Sequence, residues 1–149
     1  MEGEARRITR LSGLLAALML LLATSIAMAD EKQPLLLILT SGDTQTQGMA
    51  LVLSSEAQRQ GAQVQVLLCS EAGKLGLKDY EAPSLKPRDV TPKQMLQGLM
   101  KQGAQVEVCA LFLPNLGKTP EDLLEGVDVA KPPAVVEQML KPEVRMLNF

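Results

Sequence analysis

Leu35-Leu36-Leu37-Ile38-Leu39-Thr40 runs directly into Ser41-Gly42-Asp43-Thr44, and the reading of residues 35–44 decides the fold. An unbroken apolar run this short, ended by turn residues, is the signature of a strand covered on both faces. Asp43 or Thr44 is placed to cap a helix. Met49, Leu51, Val52, Leu53 and Ala57 then recur at helical spacing up to Gly61, a glycine stop. Val64 to Leu68 is a second strand. The chain therefore starts strand, helix, strand, which predicts a parallel pair joined by a helical crossover.

The rest of the chain extends the pattern. Residues 69–92 carry Gly73, Gly76, Pro83, Pro87 and Pro92, and are too long for a plain connection, so they are expected to be functional or to hold a short helix. Thr91-Pro92 opens a helix with a buried stripe of Met95, Leu96, Leu99 and Met100, stopped by Gly103. A third strand is expected over Val106–Leu113 and a short helix from Thr119-Pro120 through Leu124. Val127 and Val129 mark a fourth strand, Pro133 opens a last helix to Leu140, and Val144–Phe149 is a fifth strand. This is an α/β chain: a mostly parallel five-stranded sheet between helices, a three-layer α/β/α sandwich. Ligands and chemistry in such sheets gather beyond the carboxyl ends of the strands.

Charge and apolarity at the N-terminus follow a different rule. Arg6, Arg7 and Arg10 precede an uncharged stretch from Leu11 to Ala27, and Ala27-Met28-Ala29 offers small residues at the −3 and −1 positions of a cleavage site. This is the three-part pattern of a secretory signal peptide over residues 1–29, with cleavage expected after Ala29. A buried core helix and an uncleaved anchor are the alternatives. The apolar run is short for a bilayer span, and the cleavage site argues for removal. The expected product is a domain over residues 30–149 with no stable membrane anchor, exported to an oxidising compartment, the bacterial periplasm.

Composition excludes several classes of function. Among 149 residues there is no histidine and no tryptophan, so Ser–His and Cys–His catalysis and histidine metal sites are ruled out. A net charge of −2 and 2% aromatic content argue against nucleic-acid binding. Ser41-Gly42-Asp43-Thr44 lacks both the dinucleotide fingerprint and a Walker lysine and reads as a helix cap. Met49, Met95, Met100, Met139 and Met146 sit at core spacing and read as packing, not as copper ligands. Glu121 and Asp122 belong to a helix first turn, and Lys86, Arg88 and Lys93 are too few for an anion groove. No metal or cofactor is implied.

What remains is two cysteines, Cys69 and Cys109. An internal echo places them: Gly61-Ala62-Gln63-Val64-Gln65-Val66 recurs as Gly103-Ala104-Gln105-Val106-Glu107-Val108. Counted from each glycine the cysteines have the same parity, so both are expected on one face of the sheet. If the echoes align in register the two lie diagonally, with Cβ atoms roughly 7 Å apart, too far for a disulfide without movement. Two roles stay open for each: a reactive thiol at the sheet edge, or a small buried apolar side chain. A structural disulfide is a third. Without histidine, activation of a thiol falls to backbone amides, a helix terminus or a lysine, and Lys74 and Lys118 are the candidates.

Residues 35–57, GAQVQVLLCSEAG, MLQGLMKQGAQVEVCALFLPN and the closing LLEGVDVAKPPAVVEQMLKPEVRMLNF together resemble the DsrE/DsrF-like family, over Leu35 to Phe149. The most specific part is Gly103–Asn115. The resemblance implies a DsrE-like α/β/α sandwich on a five-stranded parallel sheet, assembly into homo-oligomers or with a protein partner, and, as in the sulfur-relay members, a persulfide carried on a cysteine. The cysteine in the matching strand region is Cys109. The sequence thus points to Cys109, with Cys69 as a resolving partner, in an exported sulfur-handling or thiol-redox protein. The alternative is a non-catalytic binding or assembly module with structurally buried cysteines.

Overall fold

The computed structural model describes residues 32–149, and the expected signal peptide lies outside the described residues. Five strands form one sheet: β1 (Pro34–Leu39), β2 (Gln63–Leu68), β3 (Gln105–Val108), β4 (Val127–Val129) and β5 (Arg145–Asn148). Their spatial order is β4-β3-β2-β1-β5, and every pair is parallel. The helices are α1 (Thr44–Arg59), α2 (Pro92–Lys101), α3 (Phe112–Leu116) and α4 (Pro132–Met139), with two 3-10 helices at Ser70–Gly76 and Pro120–Asp122.

Local signals in the sequence set these boundaries. Asp43 caps α1 by accepting from the Thr46 amide at 2.8 Å. Thr91 and Gln94 form a reciprocal capping box at the start of α2, with Pro92 in the first turn. After α1 and α2 the chain reverses through Gly61 and Gly103, whose φ angles of 96° and 99° favour glycine.

Alternation along the strands divides the core in two. Leu35, Leu37, Leu39, Val64, Val66, Leu68, Val106 and Val108 face one side and pack with Leu51 of α1 and with Leu96 and Leu99 of α2. Leu36, Leu67 and Ala130 face the other and meet Val135 of α4. Leu36 and Leu37, neighbours on β1, are 2% and 0% exposed, as a strand covered on both faces requires. The second layer is thin, because α4 buries none of its residues fully.

Three expectations are corrected. The strand expected over Val106–Leu113 stops at Val108, and Phe112–Leu116 turns into α3. Pro114 is the third residue of α3, within the first turn, where its missing N–H costs nothing, and Gly117 closes the helix at φ 63°. In α1 the buried residues are Gln47, Gly48, Ala50, Leu51 and Ser54, whereas Met49, Val52 and Leu53 are exposed. A close-packed helix wants small side chains on its inner face, and its two buried polar side chains each donate a hydrogen bond: Ser54 to the Ala50 carbonyl and Gln47 to that of Ser41. Met95 and Met100 pack against the core as expected, but Met49, Met139 and Met146 lie at the surface. Among the described residues no helix is long and apolar enough to cross a membrane.

Candidate functional site

A cysteine follows directly on each of the strands β2 and β3. Cys69 continues the sheet one step past Leu68, its amide donating to the Leu39 carbonyl at 2.9 Å. Cys109 continues it past Val108, its amide donating to the Leu68 carbonyl at 2.8 Å. Since Leu68 pairs with Val108, the two cysteines stand level on adjacent parallel strands. Both pack against the Leu36–Leu67–Ala130 cluster, so they share a face of the sheet, as parity predicts.

The diagonal placement is overturned. Gln65 pairs with Gln105, so β2 is slid by two residues relative to an alignment of the echoed glycines. A shift of two leaves every side chain on its own face and is therefore invisible to hydrophobic alternation. Its consequence is that Cys69 faces Cys109 across one inter-strand spacing of about 4.8 Å, not two rungs away. Both are free thiols and both are partly buried.

Their environments differ. Burial pushes the Cys69 thiol up to about 12, and Cys109 adds to the shift through its neighbouring charge and by hydrogen bonding to the Cys69 side chain. Burial thus favours the protonated form of the Cys69 thiol. Cys109 opens into a cavity of about 250 Å³, walled by Glu71 and Lys74 from the first 3-10 helix and by Leu111, Phe112 and Leu116 from the α3 region. Cys69 does not line that cavity.

The two lysine candidates separate. Lys74 lines the cavity with Cys109, paired to Glu71 at 2.6 Å. The hydrogen bond that Lys74 donates to the Glu71 carboxylate raises the Lys74 pKa, which holds the amine charged. Lys118 does not reach the site: it pairs with Asp79 at 2.7 Å and with Asp122 at 3.9 Å, tying two loops together.

Several residues at the site escaped sequence reasoning. Ser70 takes a left-handed φ of 52° directly after Cys69 and turns the chain over the sheet edge. The turn brings Gly73 flat against the Phe112 ring, where an added Cβ would lie 2.4 Å from two ring carbons. It also seats the Glu71 side chain over Gly42 of the β1–α1 turn. The only sequence signal for this packing is the glycine content of the loop after Cys69. The Ser41–Thr44 turn serves as the cap expected of it, and the Thr46 amide hydrogen bond lowers the Asp43 pKa. Among the described residues no three cysteine, aspartate or glutamate side chains converge as metal ligands.

No family model matches the chain, and no curated protein matches it in sequence. Solved structures do match in fold. The ychN protein of E. coli superposes with a TM-score of 0.65 at 18% identity, over 79% of this chain and 99% of its own. MTH1491 of Methanobacterium thermoautotrophicum, a protein of unknown function, superposes with a TM-score of 0.58 at 18% identity, over 80% of this chain and 100% of its own. The described domain therefore shares the α/β fold of these two proteins.

Proposed function

We propose that this chain is an exported DsrE-like protein that handles sulfur or thiol redox, with Cys109 as the accepting thiol and Cys69 as its partner. One observation carries the reading: two free thiols stand level at the carboxyl edge of a parallel sheet, and one of them opens into a cavity. That edge is where α/β sheets place their chemistry. Sulfur chemistry suits the composition, because a thiol can take up a sulfur atom by exchange without a histidine base. The basic, apolar and cleavable pattern of residues 1–29 supports export to the periplasm. The exposed Val52, Val136 and Leu140 support assembly with another copy or a partner protein.

The test is mass spectrometry of the folded protein after polysulfide treatment. Trypsin separates the cysteines into Gln60–Lys74 and Gln102–Lys118. An added sulfur atom on Gln102–Lys118 is expected. No adduct, together with no reaction of Cys109 with alkylating reagents in the folded state, defeats the proposal.

A second reading rests on the packing of both cysteines against Leu36, Leu67 and Ala130. It treats the protein as a non-catalytic binding or assembly module with inert thiols. It predicts that Cys109→Ala and Cys69→Ser leave partner binding and the cellular phenotype unchanged.

A further inference from the structure

We infer that the cysteine pair discharges its sulfur reductively: sulfur taken up on Cys109 leaves as sulfide when Cys69 closes a cross-strand disulfide onto Cys109. This deepens the reading of Cys109 as acceptor and rests on it.

The juxtaposition is the ground for the inference. Cys69 and Cys109 are consecutive members of one rung, linked through the bond from the Cys109 amide to the Leu68 carbonyl. Strands at about 4.8 Å put their Cα atoms within the span that a disulfide bridges, with Cβ atoms needing to converge by about 1 Å. Both cysteines lie just past the last paired residues, and Ser70 has already left the strand direction, so the convergence falls where the sheet ends. The sides are also apportioned. Cys109 faces the cavity, where an incoming donor and the outer sulfur have room, and Cys69 flanks it from the neighbouring strand, off the cavity.

Each step balances. In uptake the Cys109 thiolate attacks the sulfane sulfur of a donor persulfide, a sulfur–sulfur bond of the donor breaks, and the donor thiolate leaves. Cys109 then carries a persulfide anion. In discharge the Cys69 sulfur bonds to the Cys109 sulfur, the bond to the outer sulfur breaks, and the Cys69 proton goes to the departing atom, which leaves as HS−. The two cysteine sulfurs are oxidised by two electrons in all, and the outer sulfur is reduced by two. A dithiol reductant restores the pair by thiol–disulfide exchange. The Cys69 sulfur reacts as the thiolate, and its proton passes to the outer sulfur as that atom departs. A thiol held one rung away also has an effective concentration far above that of any free thiol in solution, which directs the persulfide inward, ahead of transfer to a second molecule.

The experiment is single-turnover sulfide release from the reduced, full-length protein, with glutathione persulfide as donor. Free sulfide is measured after a spin column, followed by non-reducing tryptic mapping. The native protein is expected to release one sulfide per chain and to yield Gln60–Lys74 linked to Gln102–Lys118. Cys69→Ser and Cys69→Ala are expected to retain the sulfur on Gln102–Lys118 and to lower sulfide release at least tenfold. Two variants are used so that a folding defect in one does not decide the outcome. A persulfide that persists equally in the native protein and both variants overturns the inference and leaves the acceptor reading standing. No persulfide in any of them, with no disulfide, overturns both.

Discussion

Oxidation of the cysteine pair is expected to stabilise the protein, by an amount set by the topology. Cys69 and Cys109 close a loop of about 40 residues, and the chain-entropy cost that a crosslink removes from the unfolded state is about 4 kcal/mol at that length. Against this stands the strain of drawing two Cβ atoms together by about 1 Å from the inter-strand spacing. A net gain of about 2–4 kcal/mol results, since the pair already stands in register. The assay is urea unfolding of the diamide-oxidised protein and of the same protein kept in dithiothreitol. With an m-value of about 1.5 kcal/mol/M, the midpoint of the oxidised form is expected about 1.3–2.7 M higher, with a slightly smaller m because the crosslinked unfolded chain is more compact. Cys69→Ser removes the difference between the two conditions. A disulfide that forms and lowers the midpoint would mean that the strands must leave their register to make it, and the level placement of the thiols would be refuted.

Three further outcomes follow from particular contacts. Gly73→Ala forces a Cβ to within 2.4 Å of the Phe112 ring, itself 7% exposed, and is expected to cost about 1–3 kcal/mol by overpacking; a loss under about 0.3 kcal/mol in urea unfolding removes the claim that this contact fixes the cavity wall. Thiols react as thiolates, so the raised Cys69 pKa lowers its reactive fraction: alkylation of Gln60–Lys74 in folded protein is expected to climb about tenfold per pH unit from 7 towards 11, whereas a plateau near 9 contradicts the burial of that thiol. Lys118→Ala is expected to leave the alkylation rate of Cys109 within about twofold, because Lys118 is committed to Asp79 and Asp122; a large drop, measured by iodoacetamide kinetics on Gln102–Lys118, places it back at the site.

Much of the fold is written in short-range patterns. The apolar run on β1, the Thr91-Pro92 helix start and the glycine stops at 61 and 103 each act through a few neighbouring residues, and each appears where its chemistry requires. The inner face of α1 is less legible, since Gln47, Ala50 and Ser54 are buried by tertiary packing that no hydropathy pattern records. Helix α3 hid inside an apolar run that reads equally well as strand or helix, with only Pro114 and Gly117 to mark it. The candidate site was half visible. Side-chain parity put both cysteines on one face, but a two-residue register shift costs the alternation pattern nothing, so only the assembled sheet shows that Cys69 and Cys109 meet. The cavity beside Cys109 comes from the left-handed turn at Ser70 and the seat of Phe112 on Gly73, both set by long-range packing.

If the two thiols act as one site, a trivalent arsenical tests it most directly, because arsenic bridges two thiols only when they stand side by side. Phenylarsine oxide added to the reduced, folded protein is expected to bind at one equivalent per chain and to protect both Gln60–Lys74 and Gln102–Lys118 from alkylation. Either Cys69→Ser or Cys109→Ser is expected to abolish tight binding and protection together. An arsenical that fails to bind the native protein, or that binds the single-cysteine variants equally well, contradicts the paired site.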